Sequence, residues 1–239
     1  MTQTFGTMAG VDMPQWAIAR ATGRRGTAHP FANLHPKSTA LIVIDMQRGY
    51  LHESGGYMAC TAAIEAVPAI NRMAHAARAA GSLVVWVQNT HDESCLRDWT
   101  VQQTMNAPES NARRNAAMTP GSPGHALWPG LDIHPGDPIV LKRRYSAFIP
   151  GTSDLEPMLR TRNIDTILIA GTLTNVCCES TARDAMMLDF RTIMLSDACA
   201  TTSPEEHNAS LAAFYATFGD VMDVDYATAC LAKTTSIAA

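Results

Sequence analysis

Three side-chain types that could together cleave an amide each stand just past a short apolar run: Asp45 ends "TALIVID" (39–45), Lys142 follows "DPIVL" (137–141), and Cys177 and Cys178 follow "DTILIA" (165–170). A free thiol has a pKa of ~8.5 and is mostly protonated at neutral pH. A helix N-terminus offers roughly half a positive charge and unpaired N–H groups, and a nearby ammonium lowers a thiol pKa further. A carboxylate can accept the thiol proton and return it to a leaving amine. Asp, Lys and Cys together would make a nucleophile–base set for acyl transfer. The stretch "AGTLTNVCCESTARDA" (170–185) opens what reads as a helix, and either adjacent thiol could be the nucleophile.

Those residues need a scaffold that gathers them. Further short apolar runs are "SLVVWV" (82–87), "RTIMLS" (191–196) and the weaker "DVMDV" (220–224). Their near-continuous apolarity predicts strands buried on both faces. Helical spacing lies between them. In 62–80, Ile64, Val67, Ile70, Met73 and Ala77 recur at three- and four-residue steps. The stretch 153–163 reads as a short helix capped by Ser153 or Asp154, with Pro157 in its first turn and Leu155, Met158 and Leu159 facing inward. In 203–219, Ser203, Pro204 and Glu206 make a capping box and Gly219 a stop. This alternation predicts an α/β fold of three layers, α/β/α, around a six-stranded parallel sheet. Residues 1–37 read as an irregular N-terminal arm and 38–239 as one domain. The section 88–136, rich in Asn, Pro, Gly and Arg, reads as irregular and as an active-site cover.

Open parallel sheets bind ligands at the carboxyl ends of their strands. The polar residues there, Gln47, Asn89, His91, Arg144 and Tyr145, are therefore candidates for binding substrate. Each also has a plainer reading: Asp45 as a strand-end cap, Asn89 and His91 as ordinary loop residues, Arg144 as a solvated charge. Trp99 and Trp128, in the irregular section, are candidates to wall a pocket.

The chain has 239 residues, 46% hydrophobic and 17% charged, with a formal charge of −4. No basic block points to nucleic acid. The six cysteines (60, 95, 177, 178, 199, 230) are sparse and lack Cys-x-x-Cys spacing. That argues against a disulfide scaffold or structural zinc and for reduced thiols in a cytoplasmic enzyme. The N-terminal stretch lacks the apolar core of a signal peptide, and no run reaches the ~20 residues of a membrane span.

The segments "ALIVIDMQ", "VLKRRYSAF" and "GTLTNVCCESTARDA" resemble the isochorismatase-like cysteine hydrolases over roughly residues 38–225. The most specific match is Gly171, Thr174, Cys177, Thr181, Ala182, Asp184 and Ala185. The resemblance implies that family's Rossmann-like fold and an Asp45–Lys142–Cys177 triad. Cys177 would be the nucleophile and Cys178 a packing residue. It also implies a cis peptide at Thr172–Leu173, an oxyanion hole from the Leu173 and Cys177 N–H groups, no cofactor, and a homodimer or homotetramer. Metal-dependent relatives carry an Asp-x-His…His cluster after the second strand. "NTHDESCLRDW" lacks that spacing, so no metal is expected. "GGY" (55–57), "WVQN" (86–89), "RYSAF" (144–148) and "TNVC-x-ESTxRD" (174–184) are most similar to the branch that hydrolyses ureidoacrylate, biuret, triuret or guanylurea. The expected activity is hydrolysis of a small ureido or carbamoyl compound with release of ammonia. The rivals are an amidase of a non-ureido carboxamide, maleamate- or nicotinamide-like, and a noncatalytic binding module. For an anionic substrate, Arg48, Arg143 and Arg144 are the candidate cations.

Overall fold

The strands are β1 (Thr39–Ile44), β2 (Leu83–Asn89), β3 (Ile139–Lys142), β4 (Thr166–Thr172), β5 (Arg191–Ala200) and β6 (Asp220–Met222). In the computed structural model they form one sheet in the order β3-β2-β1-β4-β5-β6, and every pairing is parallel. The structure describes residues 11–52 and 57–237. Gly55 and Gly56 of the "GGY" stretch, and the first ten residues of the arm, lie outside them. β1 is flanked by β2 on one side and β4 on the other, so the winding direction reverses between β1 and β4. Doubly wound sheets bind ligands at that switch point, beyond the strands' carboxyl ends.

The helices, in chain order, are α1 (Gln15–Arg25), α2 (Arg48–Leu51), α3 (Thr61–Glu65), α4 (Val67–Ala80), α5 (Glu93–Asp98), α6 (Thr100–Met105), α7 (Pro108–Met118), α8 (Leu155–Thr161), α9 (Glu179–Met187), α10 (Pro204–Thr217) and α11 (Val224–Ile237). Each face of the sheet packs its own core. Leu41 and Val43 of β1 meet Ile70 and Met73 of α4 and Leu231 of α11. Ile42 and Ile44 face the opposite way, among Leu159 of α8, Ala182 of α9 and Phe214 of α10. This is the two-faced burial that the unbroken apolar runs imply.

Four sequence-based expectations change. Residues 1–37 are not irregular throughout: Gln15–Arg25 is helical, buries Ala17, Ile18 and Ala21, and is tied to α10 by Arg25 Nη2 donating to Tyr215 C=O at 2.6 Å. Small alanines gave this helix a faint apolar pattern. The 88–136 section carries α5, α6 and α7; their buried faces mix polar residues such as Gln102, Asn111 and Arg114 with apolar ones, which hides the helical period. The single helix expected over 62–80 is two, because Pro68 lacks an N–H and its ring would crowd the carbonyl one turn back. β3 is buried on one face only: it is an edge strand with Ile139 and Leu141 exposed. The capping box at 203–206 forms in part. Ser203 Oγ accepts from the Glu206 N–H at 3.2 Å, while the Glu206 carboxylate takes the Thr202 hydroxyl instead.

Gly171 fixes the approach of β4 to β1. It has φ +114°, and a Cβ there would lie 2.1 Å from Ile44 O and 2.6 Å from Ile44 N. Backbone cannot retreat as a side chain can. Gly171→Ala is therefore expected to lower the unfolding free energy by ~3 kcal/mol or more. Urea denaturation checks this; a variant within ~1 kcal/mol of wild type would show that the two strands part without cost.

Candidate active site

The three reactive side chains come from three strand ends. The chain turns out of β1 at Asp45, which takes a left-handed φ of 53° and donates its N–H to Val87 C=O at 2.9 Å. Asp tolerates this region better than most side chains. Lys142 closes β3. Cys177 lies in a tight turn over Thr174–Cys178, between the cis Thr172–Leu173 peptide and α9. The Cys178 N–H reaches back five residues to Leu173 C=O at 3.1 Å, a π-type turn often found at functional sites.

These residues meet out of water. Lys142 is fully buried, and Asp45 and Cys177 nearly so. Lys142 Nζ lies 2.8 Å from Asp45 Oδ2 and 3.4 Å from Cys177 Sγ, and donates to Arg144 C=O at 3.0 Å. The Asp45 contact is an ion pair whose angles fall short of a directed hydrogen bond. Burial pushes the Cys177 thiol up; Lys142 pulls it back and Asp45 pushes it up again, for a net rise. The expectation of a lowered thiol pKa is thus reversed, because desolvation outweighs the ammonium. Burial likewise raises the Asp45 carboxyl against the pull of Lys142. Burial opposes the charge on Lys142, but Asp45 and Cys177 more than offset it, and its pKa is raised. The thiol thus stands, its pKa raised, beside the buried Asp45–Lys142 pair.

A cavity of about 210 Å³ opens onto Asp45 and Cys177, with Tyr50, Asn89, Arg114 and Tyr145 among its polar walls. Larger depressions of about 300 and 410 Å³ lie beside His207 and Trp99 and are not lined by the thiol. Among the described residues, no group of three or more His, Cys, Asp or Glu side chains is placed to hold a metal ion. None of the described helices is long and apolar enough to cross a membrane.

The model of the Isochorismatase domain matches residues 39–226. This chain belongs to the isochorismatase family. It is 35% identical over 206 residues to a ureidoacrylate amidohydrolase RutB from Methylobacterium radiotolerans, covering 80% of this chain and 78% of that protein. It is 34% identical over 235 residues to one from Pseudomonas syringae pv. syringae, covering 92% and 93%. A solved cysteine hydrolase from Pseudomonas syringae pv. phaseolicola 1448A superposes with a TM-score of 0.76 at 28% identity, over 84% of this chain and 96% of that one.

Of the polar residues expected to bind substrate in this isochorismatase-family chain, Asn89 and Tyr145 line the cavity, whereas Gln47, His91 and Arg144 do not. Gln47 is a cross-brace. Its Nε2 donates to the carbonyls of Asn89 (3.0 Å) and His125 (2.9 Å), and its Oε1 accepts the Asn89 N–H at 2.8 Å. Arg144 donates to Arg143 C=O at 2.7 Å and Asp98 C=O at 3.0 Å and lies over Trp99. Neither Trp99 nor Trp128 lines the cavity. Sequence reasoning missed Tyr50, Tyr57 and Arg114. Arg114 lies on the face of α7 shared with Asn111, Ala117 and Met118, all buried. That three- and four-residue spacing was the available signal.

His91 holds α7 in place. Its N–H donates to Met118 C=O at 3.0 Å, and its Nδ1 lies 2.7 Å from Asn115 Oδ1. Burial first, then the charges of Arg114 and Lys142, lower its pKa to about 4 against the Asn115 bond. The unfolded chain takes up this proton near pH 6.5, while the folded protein refuses it until about pH 4. Stability from this group is whole above pH 6.5 and falls as pH drops toward 4, by on the order of 3 kcal/mol. Urea melts of wild type and His91→Gln between pH 7 and 4.5 should show a shallower acid decline in the variant; parallel curves would sink this assignment.

Proposed function

We propose that this isochorismatase-family chain is a cysteine amidohydrolase that removes ammonia from the terminal carbamoyl group of a small ureido compound. The observation that carries the reading is the contact of one ammonium, Lys142 Nζ, with both Asp45 (2.8 Å) and Cys177 (3.4 Å) beside a cavity. As substrate excludes water, the thiol proton passes to Asp45. Lys142 exchanges a carboxylate partner for a thiolate without moving, so the buried charge stays paired. The thiolate attacks the carbamoyl carbon. The oxyanion is assigned to the N–H groups of Leu173 and Cys177, in the turn after β4. Asp45 returns the proton to the departing ammonia. Water then hydrolyses the S-carbamoyl intermediate, regenerating the thiol. Neither metal nor organic cofactor takes part.

The ureido specificity is supported by the likeness to ureidoacrylate amidohydrolases along most of both chains. It is tested by ammonia release from ureidoacrylate, biuret, triuret, guanylurea, N-carbamoylsarcosine, maleamate and nicotinamide, with Cys177→Ala as the blank. One ureido compound should turn over with kcat/KM above ~10⁴ M⁻¹s⁻¹, a level typical of a physiological substrate. Turnover of maleamate or nicotinamide alone would overturn the ureido reading and keep the triad.

A further inference from the structure

A guanidinium sits in the wall of the cavity with no partner among the described residues. Arg114 is 5% exposed, and its Nε and Nη2 are buried with no hydrogen-bond partner among the described residues. Apart from Asp45, which is paired with Lys142, no carboxylate of a described residue lines the cavity. A buried charge left unpaired costs several kcal/mol, so a fold keeps one where something else completes the pair. The three arginines that the sequence offered for an anion are engaged or remote. Arg143 pairs with Asp92 at 2.7 Å, Arg144 is bound to two carbonyls over Trp99, and Arg48 is exposed and absent from the cavity wall.

We infer that Arg114 binds a carboxylate on the substrate from the wall of the same cavity, so that the substrate is a short-chain carbamoyl acid. This rests on the proposed amidohydrolase reading and narrows it. Asn89 adjoins Asp45, and its Oδ1 is buried without a partner among the described residues, an acceptor suited to a carbamoyl N–H. Arg114 shares the cavity wall with Cys177, and Tyr50 and Tyr145 stand beside both. A guanidinium fork matches a carboxylate bidentately. One unpaired positive charge balances a monoanion; a dianion such as phosphate would bring a second charge that nothing in the cavity neutralises. The cavity volume of about 210 Å³ leaves room for only a short chain between the two groups.

The test separates this inference from the ureido reading. Calorimetric binding to the Cys177→Ala protein is measured for two pairs, 3-ureidopropionate against its methyl ester and succinamate against succinamide. The acid should bind about 30- to 100-fold more tightly than its neutral partner, as expected for a buried charge-assisted pair. Adding Arg114→Met should collapse that preference toward one, and Arg114→Lys should restore part of it. Equal binding of acid and neutral partner to the Cys177→Ala protein overturns the inference, as does a preference that survives Arg114→Met. If Arg114→Met fails to fold, the acid-to-neutral ratio in the Cys177→Ala protein alone decides. Turnover of ureido compounds by wild type is scored separately. An acid preference without ureido turnover keeps the Arg114 subsite and fells the ureido reading; ureido turnover without acid preference does the reverse.

Discussion

Replacing Cys177 by Ala should lower ammonia release by roughly 10⁴- to 10⁶-fold, the range expected when a covalent nucleophile is removed. The fold should survive. The side chain contributes no hydrogen bond that the backbone needs, and the neighbouring ion pair between Asp45 and Lys142 remains. Thermal melting should show a stability change within ~1 kcal/mol. The adjacent thiol is the control. Cys178 is fully buried in the opposite core cluster to α4, with its Sγ 3.9 Å from Ala170 C=O. Cys178→Ala should cost ~1–2 kcal/mol of stability through lost packing while changing kcat/KM by less than about tenfold. A Cys177→Ala enzyme that still turns over, or a Cys178→Ala enzyme as dead as it, would end the proposed mechanism.

Lys142→Met should damage stability and activity together, by separable routes. Removing one partner of a buried pair strands the other, which costs ~3–5 kcal/mol. Here Asp45 would be left in an enclosed site; it would escape by taking up a proton and could then no longer accept one from the thiol. Activity should fall by roughly 10³-fold or more, since both the base and the thiolate lose their counter-charge. Adding Asp45→Asn to Lys142→Met should recover much of the stability, because no buried charge is left alone, and recover none of the turnover. Urea denaturation and ammonia release on the three variants complete a double-mutant cycle. Additive stability losses would mean that the two groups do not depend on one another.

The reading of the thiol shows where sequence reasoning ran out. A cysteine at the start of a helix, with a lysine elsewhere in the motif, suggests an activated thiolate. In the fold the same cysteine is nearly fully buried, and desolvation wins over the ammonium 3.4 Å away. Burial is a sum over distant segments, and no local pattern reports it. The same holds for His91, which follows β2 yet contacts Asn115 and does not line the cavity. Arg144, one residue from Tyr145, is held over Trp99 while Tyr145 faces the cavity.

The sequence by itself determined the sheet and its direction. Runs such as 39–44 and 166–172 are apolar enough to be buried on both faces, and helices between strands force parallel crossovers. It also determined which residues stand at the strand ends, because strand length and turn chemistry are local. Tertiary structure alone decided what those residues meet. β1, β3 and β4 bring Asp45, Lys142 and Cys177 within one ammonium's reach. α7, which looked irregular in sequence, carries Arg114 into the cavity wall with no partner among the described residues. The reason is physical: secondary structure follows from periodicity along the chain, whereas desolvation and charge pairing depend on which segments exclude water from one another.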